Sequence, residues 1–198
     1  MSVTAIRYDR LVGRWEPNAR GRLVQAAMEL YLERGFEQTT VAEIASRAGL
    51  TERTFFRYFV DKREVLFWGA ASLQELLVTS VTDAPIGASP IGAVAGAIEV
   101  AGDFFQERHE FSRLRQSIIA ANPDLQEREL IKLSSLAAAM ADALRQRGVV
   151  DQAARLAAES GIAVLRIVFD DWIDEASPRN FSDLVREAFA KLKEVTAG

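Results

Sequence analysis

The chain has 198 residues, long for one small domain and short for three, and its 49% hydrophobic and 26% charged residues suit a globular protein with a sizeable core. Zero cysteines remove disulfides, thiolate metal sites and cysteine nucleophiles together. The net charge of −4 weighs against nucleic acid, but residues 1–67 hold 11 Lys+Arg against 9 Asp+Glu and residues 68–198 hold 13 against 19, so only the first third can face a polyanion.

In chain order, Arg7, Asp9 and Arg10 stand where a secretory signal would need an apolar run. Leu23, Ala26, Ala27, Leu30 and Tyr31 then form the stripe of an amphipathic helix, opened by Pro17 and closed by Gly35. Thr40 and Glu43 make a capping box for a short second helix that runs into Gly49. Thr51 caps a third, to about Phe59, and Asp61 with Glu64 opens a fourth through Trp68 towards Leu77.

Ser89-Pro90 starts a fifth helix that runs to about Gln106. Phe111, Leu114 and Ile118 mark a sixth, and Asn122-Pro123 separates it from a long seventh that stops at Gly148. Asp151 caps an eighth to about Asp174, and Ser177-Pro178 breaks the chain before a last amphipathic helix from Phe181 to Leu192. The longest uncharged run, Ala84 to Ile98, contains two prolines and three glycines and is too broken to span a bilayer. The expectation is a soluble, cytoplasmic, all-α protein of about nine helices with no membrane partner.

Thr40 to Phe59 is the most specific stretch. A helix-turn-helix needs a small residue where its helices cross, a glycine in the turn, and apolar residues that lock both to a supporting helix. Ala45, Gly49 and the set Ile44, Ala48, Leu50, Phe55 and Phe59 meet those demands. Spacing alone leaves open an ordinary αα-hairpin with a glycine turn. The run from Gly35 to Phe59, with Lys62 and Leu66, also resembles the DNA-binding domain of the TetR family of transcriptional regulators, over residues 20–67.

That resemblance implies a recognition helix from Thr51 to Phe59, with Thr54, Tyr58 and Lys62 at the family's phosphate contacts. Thr40 and Thr51, at helix starts, join the DNA-facing set. Arg53 and Arg57 fall at outward positions and can each bind guanine O6 and N7, the alternative being solvent or phosphate. Phe56 stands where the family often has tyrosine, so it offers a sugar or thymine methyl contact instead of a hydroxyl. Glu52 is repelled by DNA unless it meets a cytosine amino group, and it otherwise favours the helix start. Arg7, Arg10 and Arg14 lie in an arm able to reach a minor groove.

The resemblance further implies a division into a DNA-binding domain, 1–67, and an effector-binding and dimerisation domain, 68–198. Small residues Ala153, Ala157 and Gly161, followed by Val164, Val168 and Trp172, offer a surface for close helix contact. With Leu184, Val185, Ala188 and Phe189 of the last helix they make a candidate dimer bundle; packing within one subunit is the alternative. Trp68, Phe105, Phe111, Met140, Phe169 and Trp172 are candidate pocket residues for a small hydrophobic effector, although each also suits a core. His109, among Glu107, Arg108 and Glu110, is expected at the surface.

Enzymatic readings fail on chemistry. A di-iron bundle needs two Glu-x-x-His motifs and the chain has one histidine. There is no Gly-x-Ser-x-Gly, and Gly87 to Gly92 leads into Ala93 rather than the Lys-Ser/Thr of a phosphate loop. No cofactor or metal is implied. The expectation is a ligand-responsive regulator, a repressor, that binds a palindromic double-stranded operator as a homodimer. The alternative is an all-α ligand- or protein-binding module that does not bind operator DNA.

Overall fold

The computed structural model describes residues 19–175 and 179–197. Pro17, the arginines at 7, 10 and 14, and Ser177-Pro178 lie outside them. Among the described residues the fold is all-α, and it divides into two compact units.

The first unit comprises residues 19–68 together with Glu110–Pro123. Helix α1, Ala19–Arg34, buries Leu23, Ala27, Leu30 and Tyr31 along one stripe and ends at Gly35, whose φ of 89° suits only a residue without Cβ. Helices α2, Val41–Arg47, and α3, Glu52–Tyr58, follow, and the α1 stripe packs on both. Asp61 Oδ1 accepts from the backbone N–H groups of Arg63 and Glu64, at 2.8 and 3.1 Å. These bonds lead into a 3-10 turn, Glu64–Phe67, rather than the expected continuous helix; regular helix resumes after Gly69 as α4, Ala70–Thr82. Arg115 Nε donates to the Leu66 carbonyl at 2.7 Å and its guanidinium lies 5.0 Å from the Phe67 ring centre, which fixes the later segment on this turn.

The second unit holds α4, α5 (Pro90–Val100), α6 (Gly102–Gln106), α8 (Pro123–Gln146), α9 (Asp151–Asp174) and α10 (Phe181–Thr196). Helix α7, His109–Ala120, contributes only its first residue here. Ser89 Oγ accepts from Gly92 N–H at 3.2 Å and Pro90 takes the first helical position, as the sequence expects of α5. The expected fifth helix is divided, because α5 ends at Val100, capped by Ala101, and a separate α6 begins at Gly102. A Cβ at Gly102 would overlap Ser182, whose hydroxyl donates to the Glu99 carbonyl at 2.9 Å, so α10 sits directly on this junction. Asp151 does not cap α9 by its side chain; Val150 holds the cap position, and Asp151 instead pairs with Arg145 at 2.8 Å.

The core of this unit is built on α5, with Val94, Ala97 and Ile98 enclosed among α4, α9 and α10. Residues 64–82 are long and apolar enough to cross a membrane by length and composition, but Val65, Leu66, Phe67, Leu73, Leu77 and Val81 are buried within the fold.

Candidate nucleic-acid interface

Local chemistry sets the helix-turn-helix. Thr40 Oγ1 accepts from Glu43 N–H at 3.2 Å while Thr40 N–H donates to the Glu43 carboxylate at 2.9 Å, the reciprocal box read from the sequence. The Thr40 bonds, backbone first, with Arg34 adding its charge, hold the Glu43 carboxyl below its ordinary range. Gly49, at φ 65°, turns the chain, and Leu50 N–H returns to the Ala45 carbonyl at 2.8 Å. Thr51 Oγ1 then accepts from Thr54 N–H at 3.2 Å and starts α3.

On α3 the inward residue is Phe55, fully buried and in edge contact with the Phe56 ring at 5.5 Å. Glu52, Arg53, Phe56 and Arg57 face solvent along the opposite side, with Phe56 55% exposed. Thr54 and Tyr58 flank this strip half-buried, whereas Thr40 and Thr51 are exposed but engaged as caps. Arg57 donates to the Tyr58 hydroxyl at 3.1 Å and its guanidinium lies 4.9 Å from that ring centre. Arg20, from α1, reaches the same ring at 5.5 Å. Sequence reasoning missed Arg20, because the pattern near Ala19 says nothing of α3; only the packing of α1 brings the two together.

Part of the charge elsewhere in the unit is paired internally. Arg47 forms paired bonds to Glu33 at 3.0 and 2.9 Å, and Arg34 meets Glu43 at 2.8 Å. Lys62, the expected phosphate contact, is engaged within its own unit. Its ammonium donates to the carbonyls of Phe36, Glu37 and Thr39 at 2.8, 3.2 and 3.0 Å, which accounts for all three of its hydrogens. It also lies ahead of a 3-10 turn rather than at the N-terminus of a regular helix. Tyr31 Oη donates to the Lys62 carbonyl at 2.7 Å; burial pushes this phenol well above its ordinary range, and the Asp61 carboxylate adds to the effect.

The candidate pocket residues are divided between the two units. Trp68 and Phe111 fall in the first unit and are half-buried, and Met140 is fully enclosed in the core of the second. Phe105, Phe169 and Trp172 do come together, with ring centres 5.6 to 6.5 Å apart, and Phe181 joins them. His109 is not a surface residue as expected: it is half-buried, hydrogen-bonded to the Trp172 carbonyl at 3.0 Å.

The proposed dimer stripe is corrected. Ala157, Gly161, Val164, Val168, Leu184, Val185 and Phe189 are buried in the chain's own core, and Ala188 is half-buried beside them. A Cβ on Gly161 would sit well inside 3.0 Å of Val94 Cγ1, so the small-residue stripe of α9 receives α5 of the same chain. Periodicity identified a close helix contact but not which helix makes it.

Comparison with known proteins agrees with this geometry. Residues 23–67 match the model for bacterial regulatory proteins of the tetR family, and residues 88–197 match that of the MftR C-terminal domain. The transcriptional regulator TcmR of Streptomyces glaucescens is 37% identical over 78 residues, 39% of this chain and 34% of that protein. The putative mycofactocin biosynthesis transcriptional regulator MftR of Mycobacterium tuberculosis is 28% identical over 120 residues, 60% of each chain. These matches therefore span about a third and three-fifths of the relatives' own lengths.

Among solved structures, FadR from Bacillus subtilis in complex with stearoyl-CoA superposes with a TM-score of 0.62 at 18% identity, covering 87% of this chain and 96% of that one. Thermus thermophilus FadR in complex with lauroyl-CoA gives 0.57 at 23% identity, covering 89% and 94%. These likenesses concern the fold. With a capped helix-turn-helix in its first unit and the family models matching both parts of its length, the chain belongs to the TetR family of bacterial transcriptional regulators.

Proposed function

We propose that this regulator is a homodimeric repressor that binds a palindromic operator through α3 and is released by a small hydrophobic effector. The observation that carries the reading is the solvent-facing strip Arg53–Phe56–Arg57, held rigidly by the fully buried Phe55 on the reverse of the same helix. Arg53 and Arg57 supply donors for base edges, Phe56 an apolar contact, and Tyr58 with Arg20 a phosphate contact. A two-fold dimer presents two such helices to successive major grooves, which requires a palindrome.

The dimer surface is assigned to what α9 leaves exposed. Leu156, Ala163 and Ile167 lie at i, i+7 and i+11 on its outer side, and Leu156 and Ile167 remain 63% and 57% exposed. For the effector, the aromatic group of Phe105, Phe169 and Trp172 supports a hydrophobic molecule. The FadR structures are complexes with fatty acyl-CoA molecules, which are ligands of that class.

The test is titration of genomic fragments by fluorescence anisotropy across a salt series. Salt-sensitive, sequence-selective binding is expected, and Arg57→Ala should cost about 1–3 kcal/mol while relaxing preference at one base pair. Absence of salt-sensitive binding to any fragment would leave an all-α ligand- or protein-binding module in place of a repressor.

A further inference from the structure

Trp172 is fully buried near the end of α9, and its indole Nε1–H has no hydrogen-bond acceptor among the described residues. Buried indoles ordinarily find a partner, because the N–H loses its water on folding. A phenylalanine would fill a purely apolar site without that loss. The surroundings are rings: His109 edge-on at 4.4 Å, Phe181 perpendicular at 5.2 Å, Phe169 at 6.0 Å and Phe105 at 6.5 Å between centres. The perpendicular Phe181 face offers at most a weak π acceptor.

Two features distinguish this cluster from ordinary core. Phe105, Phe169 and His109 are only half-buried, so the cluster borders solvent on their side. His109 Nε2 lies 3.0 Å from the Trp172 carbonyl, so it must carry a proton there and donate, which fixes the imidazole beside the indole. A donor without an acceptor is thereby held in one orientation among rings that border solvent.

We propose that the cluster of Phe105, His109, Phe169, Trp172 and Phe181 is the effector subsite, taking an aromatic or alkyl molecule with one carbonyl-type acceptor that receives the Trp172 Nε1–H. Phe105 and Phe169 cover the apolar part of the ligand, and the lone donor selects for the acceptor. The assignment rests on the reading of the chain as a ligand-responsive regulator, and it adds a polar requirement to that reading.

The test uses the full chain with ¹⁵N-labelled indoles and two probes of one shape, 2-acetylnaphthalene and 2-isopropenylnaphthalene, which differ in the acceptor. Single Trp15→Phe and Trp68→Phe variants assign the Trp172 resonance by elimination. The ketone is expected to bind about tenfold tighter than the hydrocarbon after correction for their partition into octanol, and to move the Trp172 Nε1–H resonance downfield. In Trp172→Phe the preference should fall to about one.

Equal affinities, no binding of either probe, a preference that survives in Trp172→Phe, or an unmoved resonance under bound ketone would each overturn the subsite. If Trp172→Phe fails to fold, the resonance of the wild-type protein decides. Operator titration with and without the ketone separates the two readings: a shifted resonance with unchanged operator affinity keeps the subsite and removes effector release.

Discussion

Lys62 is held by the backbone of its own unit, and we propose that it supports the DNA-facing surface from within. Its ammonium ties together three carbonyls of the turn between α1 and α2 and also lies over the Phe36 ring, 4.4 Å from its centre. Lys62→Met keeps the stem and removes the donors, so it should lower stability by about 1.5–3 kcal/mol in denaturant titrations. The slope of operator affinity against salt should stay unchanged; a slope reduced by about one, with stability intact, would return Lys62 to the phosphate contacts. Asp170 presents the opposite case, a charge held at a cost. Asp170 is exposed, and the partial loss of water around its carboxyl, then Glu129 on α8, and more weakly Asp171 and Asp174, raise it above the ordinary range, with Arg166 opposing them. A raised folded value means that the folded state binds the proton first, so the penalty is absent below about pH 3.8 and grows as pH rises through the folded value. Asp170→Asn is accordingly expected to melt higher than wild type at pH 7, with the difference closing towards pH 3.5; an equal difference at both values would assign it to packing.

At the level of elements, the close approach of α9 to α5 depends on Gly161. An added methyl has Val94 and Ile98 in its way, and the neighbours are themselves buried. Gly161→Ala should therefore cost about 1–3 kcal/mol by overpacking, and Val94→Ala in the same chain should recover part of the loss. Calorimetry of the single and double variants measures this, and additive losses would mean that the two side chains do not meet. The same contact explains why periodicity misassigned the stripe. A row of small residues states that a backbone comes close, and it carries no information on whether that backbone belongs to the same chain.

For the whole molecule, the proposed dimer uses the outer face of α9, because the inner face is occupied within the chain. Ile167→Glu places a carboxylate in the proposed contact, at several kcal/mol if it stays charged and unpaired. Sedimentation should show the wild type as a dimer at micromolar concentration and Ile167→Glu as a folded monomer, while Gly161→Ala keeps the wild-type mass. A dimer that persists in Ile167→Glu would place the interface elsewhere.

The amino-acid sequence by itself determined the all-α class, the capping box at Thr40, the glycine turn at Gly49 and the outward strip on α3. These are decided within a few residues, where side-chain oxygens, a positive φ and the 3.6-residue period act directly on the backbone. Only the tertiary structure decided the placement of Arg20 on Tyr58, the capture of the Lys62 ammonium and the burial of the α9 stripe under α5. It likewise decided the enclosure of an unpartnered indole beside His109. Each of these depends on groups distant in sequence meeting through packed helices, and hydrophobic packing is non-directional: it requires that an apolar face be covered without naming what covers it.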